Sequence, residues 1–137
     1  MGKIIRDIWI LTETGVTVFS RAIDPRVNPQ ILGALIRALN IYAEKLTDGG
    51  ISNFTLSDIR FVIIKRTPFL FVANASNKIK IKKVTDELRV ISDKFFNTYS
   101  QDVLDNWDND ISFFNNFKNL IDDSLDETAK KFQESFW

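Results

Sequence analysis

Between Ile4 and Thr12 both alternating sets of positions are apolar, with Ile8 and Ile10 on one face and Trp9 and Leu11 on the other. A strand patterned this way is covered on both faces. Glu13-Thr14-Gly15 supplies a hairpin turn, with a glycine free to take positive φ. Val16 to Ile23 reads as the return strand. Its mixed polarity, Arg21 included, predicts an edge, and Asp24-Pro25 ends it. Asn28-Pro29 then opens a helix, a capping residue followed by proline at the first helical position, and Asp48-Gly49-Gly50 closes it after about Leu46. Projected at about 100° per residue, Ile31, Leu32, Leu35, Ile36, Ala38, Leu39, Tyr42, Ala43 and Leu46 fill a broad apolar arc. Gly33, Arg37, Asn40 and Glu44 lie opposite it, and Ile41 falls outside the arc, so it is expected to be exposed.

Three strands follow in quick succession: Ile51 to Leu56, Ile59 to Lys65 and Phe69 to Ala75. Ser57-Asp58 and Arg66-Thr67-Pro68 separate them, with one long bent strand across Ser57 as the alternative. Phe61-Val62-Ile63-Ile64 and Phe69-Leu70-Phe71-Val72 are continuous apolar runs, the mark of strands buried on both faces. From about Ile81 to Trp107 the period is helical, with Ile81, Val84, Leu88, Ile91, Phe95 and Tyr99 in one stripe that Val103 and Trp107 extend. Asn106 to Asp110 reads as a turn. Ile111, Phe114, Phe117, Leu120 and Ile121 make a shorter amphipathic helix that Leu125 trails, and 126–137 form a polar tail with an aromatic tip.

Strands covered on both faces require helices on both sides of the sheet. The expectation is one domain over 1–125 with an α/β (α+β), three-layer α-β-α fold. One helix covers one face of a five-stranded, mostly antiparallel sheet, and two helices cover the other. The first and last strands are the most apolar and belong at the centre, with the second and third at the edges.

At 137 residues the chain is long enough to bury a core without staples. Net charge is zero, which does not favour nucleic acid as a partner. Without cysteine or histidine there are no disulfides, no thiolate or imidazole metal ligands and no histidine general base. No catalytic residue, metal site or cofactor is expected, and the Ser and Asp residues make no triad without histidine. Asp105, Asp108 and Asp110 alternate like calcium ligands but lack the glycine and closing glutamate of a calcium-binding loop. Trp9, Trp107, Phe95 and Phe96 sit at strand and helix spacing and read as core rather than as a ligand box. The N-terminus turns charged too soon for a signal peptide, and no apolar run approaches a bilayer span of about 20 residues. A cytoplasmic protein follows, with contact at a membrane surface as an option.

In this order of elements the chain resembles the longin domain family. Asp7-Ile8-Trp9-Ile10-Leu11 resembles its opening strand, Lys65-Arg66-Thr67-Pro68-Phe69-Leu70-Phe71-Val72-Ala73 its last hairpin, and Leu88…Phe95-Phe96…Tyr99 the helix that follows. The related roadblock domain shares the core but usually lacks the extended final helices. The longin resemblance implies a profilin-like fold and a non-enzymatic binding platform of vesicle trafficking and small-GTPase regulation. Its partners would be a small GTPase or another longin or roadblock subunit, a second copy included. With Trp137 as the last residue, no heptad segment or anchor follows, so a stand-alone domain is expected rather than a SNARE protein. The alternatives are a ligand-sensing α/β module and a roadblock-like GTPase-regulating dimer.

Two surfaces are candidate sites. The strand from Ile51 to Leu56 has no Lys or Pro to block edge pairing. With the first helix it suggests a partner groove of Arg37, Ile41, Ile51, Asn53, Phe54 and Thr55. Charge is also uneven: residues 59–94 hold nine Lys or Arg against three Asp or Glu, and 101–128 hold eight acids against Lys118 alone. Lys78, Lys80, Lys82 and Lys83 crowd a helix start, where the dipole disfavours cations. They are candidates for an acidic partner or an anionic membrane surface; a solvated helix start is the plainer explanation.

Overall fold

Five strands build one sheet in the computed structural model, which describes residues 4–22, 28–48 and 50–121. They are β1 (Asp7–Thr12), β2 (Thr17–Arg21), β3 (Asn53–Leu56), β4 (Ile59–Arg66) and β5 (Phe69–Ser76). Their order is β2-β1-β5-β4-β3, and every neighbouring pair is antiparallel. The most apolar strands, β1 and β5, lie beside each other inside the sheet, as their patterns require. Ser57, at φ 55°, turns the chain between β3 and β4, so these are two strands and not one bent one. The third strand begins at Asn53, two residues later than the pattern suggests.

The helix α1 (Pro29–Leu46) starts where the Asn28-Pro29 pair predicts. The Asn28 side chain accepts hydrogen bonds from the N–H groups of Gln30 (3.0 Å) and Ile31 (3.1 Å), satisfying two donors of the first turn. On the other face lie α2 (Ile81–Thr98), α3 (Gln101–Asp105) and a 3-10 turn over Ile111–Phe114, with helix again over 117–121. The expected single helix to Trp107 breaks at Ser100, whose hydroxyl accepts from Val103 N–H (3.3 Å) and so caps a new helix. Trp107 packs on Phe114, with ring centroids 5.0 Å apart, and closes the corner. Leu125 and the tail lie outside the described residues.

The two sides of the sheet are packed very differently. Under α2, the side chains of Val84, Leu88, Ile91 and Phe95 join Ile8, Ile10, Phe69, Phe71, Phe114 and Phe117 in one core. Phe95 is its hub, 5.0 Å from Tyr99, 5.2 Å from Phe117 and 5.5 Å from Phe71. Under α1, a smaller core holds Trp9, Leu11, Phe61, Ile63, Leu70 and Val72, and the helix buries only Gly33 and Ile36 against it.

That corrects the orientation expected for α1. Gly33, assigned to the outer side by the apolar arc, is the residue that meets the sheet. A Cβ added there would collide with the carbonyl oxygen of Gly15 and lie 2.9 Å from Thr17 Oγ1. The close approach is locked by Thr17, whose hydroxyl donates to Pro29 O at 2.6 Å. Asn40 is drawn inward too and accepts from Ile51 N–H at 3.3 Å. Rotating the helix to seat Gly33 turns much of the apolar arc away from the core.

The variant Gly33→Ala separates propensity from packing. Helix propensity alone favours alanine by about 1 kcal/mol. The collision with Gly15 is expected to prevail and lower stability by about 1–3 kcal/mol, read as a lower urea midpoint at unchanged m-value. A raised midpoint would contradict the close approach.

Candidate interaction surface

The rotation of α1 leaves four large apolar side chains outside. Ile31 is 70% exposed, Leu35 45%, Tyr42 67% and Leu46 69%. Their spacing of four, seven and four residues keeps them on one side of the helix, and half-buried Leu32 and Leu39 lie between this stripe and the core. Sequence reasoning missed the stripe because it assigned the whole arc to the sheet. The available signal was its breadth: nine apolar residues in one helix exceed what a single buried face needs.

At the sheet edge nearest in sequence, Phe54 stacks on Phe61 at 4.8 Å and 5°, which leaves it half-buried. Ser52 O accepts from Ile63 N–H at 2.9 Å. Backbone alternation along β3 then turns the N–H and C=O groups of Asn53 and Thr55 outward, towards any added strand. Leu56 is 53% exposed beside them. Four residues make a short edge, which limits what can pair with it.

The predicted groove is not one cluster. Ile51, Asn53, Phe54 and Thr55 lie at β3, and Asn40 ties Ile51 to α1. Arg37 and Ile41 instead line a cavity of about 200 Å³ with Glu13, Asn40, Glu44, Lys65 and Leu70, at the hairpin end of β4 and β5. Lys65 Nζ lies 3.2 Å from Glu44 Oε1 there, so the cavity is rimmed by a paired charge. Ile41 is exposed, as expected, but faces about 100° round the helix from Tyr42.

At the opposite edge a side chain covers the first residue of β2. Thr17 N–H donates to Gln30 Oε1 at 3.1 Å, and Gln30 Nε2 donates back to Thr17 O at 3.0 Å. The glutamine amide thus stands where a neighbouring strand's peptide would be. An open cavity of about 350 Å³ continues along β2, lined by Phe19, Ile111, Asn115 and Lys118 among others.

Lys78, Lys80, Lys82 and Lys83 are all exposed at the start of α2. The alternating aspartates near the other end of that helix serve as local caps. Asp110 accepts from Ser112 N–H (3.0 Å) and Ser112 Oγ (2.7 Å), and these bonds hold its carboxyl below the usual carboxylate range. Asp108 accepts from Asp110 N–H at 3.0 Å. Among the described residues no three carboxylates converge on a point that a metal could occupy, and no helix is long and apolar enough to cross a membrane.

This geometry can be set beside known structures. A Roadblock/LC7 domain from Streptomyces avermitilis superposes with a TM-score of 0.54 at 13% identity, over 70% of this chain and 85% of that one. The fold is shared with Roadblock/LC7 domains. The gliding protein MglB from Thermus thermophilus superposes with a TM-score of 0.50 at 11% identity, over 59% of this chain and 67% of that one. No family model and no curated protein matches the sequence.

Tyr99, packed among Phe95, Phe113, Phe114 and Phe117, gives the core a pH signature. It is 7% exposed, and burial raises its pKa above the ordinary value of 10.0. The unfolded chain therefore ionises first, so stability is intact below about pH 10 and falls as the pH rises through the folded value. Tyr99→Phe keeps the ring contacts and is expected to flatten this alkaline loss, with a change at pH 7 of less than about 1 kcal/mol. Urea unfolding at pH 7 and above pH 10 measures both; an unchanged alkaline slope would assign the loss to other groups.

Proposed function

We propose that the chain is a non-enzymatic, roadblock-like interaction module that works as a symmetric pair and regulates a small GTPase. The observation that carries the pairing is the α1 stripe of Ile31, Leu35, Tyr42 and Leu46, left outside the core of its own chain. Monomeric proteins seldom expose aligned apolar side chains of this size unless a partner covers them. A helix face is suited to a two-fold contact, since antiparallel crossing sets each stripe against itself. The β3 edge, with Asn53 and Thr55 backbone groups turned outward, follows α1 directly in the chain and can add to such a contact by strand pairing. The longin/roadblock resemblance supports the GTPase as the object of the pair, and the shared Roadblock/LC7 fold favours this dimeric form over a trafficking platform of longin type.

Light scattering after size exclusion tests the pairing. Tyr42→Asp and Leu35→Asp are expected to weaken self-association at least about 30-fold each, as for a central aromatic or aliphatic anchor. The exposed positions leave the fold intact by circular dichroism. A wild-type chain that is monomeric at high concentration, or a dimer indifferent to both changes, would refute the α1 contact. The GTPase arm is checked by adding small GTPases in each nucleotide state and following binding and the hydrolysis rate.

A further inference from the structure

The charged surfaces at the two ends of α2 play no part in that reading. Lys78, Lys80, Lys82 and Lys83 surround the helix start, and of the four Lys82 alone meets a carboxylate among the described residues, Asp86 at 3.0 Å. The start is positive in its own right. Lys80 caps it without a side-chain hydrogen bond, and the first turn holds no acid, so free N–H groups and lysines share one place. Beyond the other end of α2, Asp102, Asp105, Asp108 and Asp110 are exposed. Their hydrogen bonds are to neutral donors: Gln101 Nε2 to Asp105 at 2.8 Å, and the N–H groups of Asp110 and Ser112 to Asp108 and Asp110. The 18 residues of α2 hold the two ends about 27 Å apart at 1.5 Å per residue, so a chain cannot join its own ends. Midway between them Val90 is 60% exposed.

We propose that a second copy of the chain lies antiparallel along α2, the lysine end of each copy against the aspartate end of the other and Val90 at the centre. A symmetric antiparallel contact satisfies both ends at once, whereas a head-to-tail join leaves one end of each chain unmatched. An anionic bilayer would match the lysines and offer the aspartates nothing. The second copy carries both complements, and a chain of zero net charge is not held off by its like. Because α2 and α1 cover opposite faces of the sheet, this contact is separate from the α1 pairing and can link pairs into larger assemblies.

Sedimentation velocity of the full chain in a Tyr42→Asp background removes the α1 contact and tests this one alone. Association is expected at about 0.01 M salt, where charges act over about 30 Å, and to weaken at least about tenfold at about 1 M, where they act over about 3 Å. Lys80→Glu with Lys83→Glu, or Asp105→Lys with Asp108→Lys, should each weaken it at least about tenfold by setting like charges together. An equimolar mixture of the two variants should regain association within about threefold of the parent, since the reversed ends are again complementary. Association indifferent to salt, an unaffected variant, or a mixture that stays apart although both variants keep their circular dichroism would overturn the proposal. So would flotation with phosphatidylserine vesicles that depends on Lys80 and Lys83 without any self-association, which would assign the lysines to a membrane.

Discussion

The contact between Gly33 and the turn at Gly15 decides how the rest of the molecule is presented. Gly15 takes φ 89°, and the tight turn it closes pushes its carbonyl towards α1. Only a glycine at position 33 lets the helix backbone come that close, and Thr17 then hydrogen-bonds Pro29 to hold it. A helix fixed by its backbone cannot also choose which side chains to bury. Gly33 and Ile36 face the sheet because that geometry puts them there, and hydrophobic area that a freely packed helix would bury stays in solvent. The usual order of causes, in which the largest apolar face selects the orientation, is reversed here.

The other side of the sheet follows the usual order. Val84, Leu88, Ile91 and Phe95 recur at helical spacing, and all are buried under α2. Each central strand contributes alternate side chains to this face, and the phenylalanines interlock edge to face, a geometry that rewards one arrangement over its neighbours. Packing of this density resists remodelling. The α2 side is therefore the rigid half, with charge at the two ends of its helix, and the α1 side, with its smaller core, is the half that leaves an apolar face outside.

Legibility in the sequence divides along the same line. The order of the strands could be read because β1, β4 and β5 are apolar on both faces, and burial on both faces admits only central places in a sheet. The start of α1 could be read because Asn28-Pro29 acts locally. Rotation of α1 about its axis could not, since it depends on a contact between residues far apart in sequence and on the absence of a side chain at Gly33. The break at Ser100 was hidden for a related reason: the apolar period runs on through Val103 and Trp107 although the backbone turns. Of the candidate site, Asn53 and Thr55 stood out through the unprotected edge, while Ile31, Leu35, Tyr42 and Leu46 were hidden inside a pattern that looked like ordinary core.

Edge chemistry gives the α1 half a direction. A sheet with two open edges could extend either way, and each edge offers unpaired backbone groups. At β2 the Gln30 amide returns both hydrogen bonds to Thr17, so an incoming strand would have to displace bonds already made. Gln30 is placed to do this by Asn28 and Pro29, the same residues that start α1, so the signal that begins the helix also shields the strand beside it. At β3 no such side chain stands over Asn53 and Thr55 among the described residues, and the stacked ring of Phe54 keeps the short strand in register with β4. Extension of the sheet is thus cheaper at β3 than at β2.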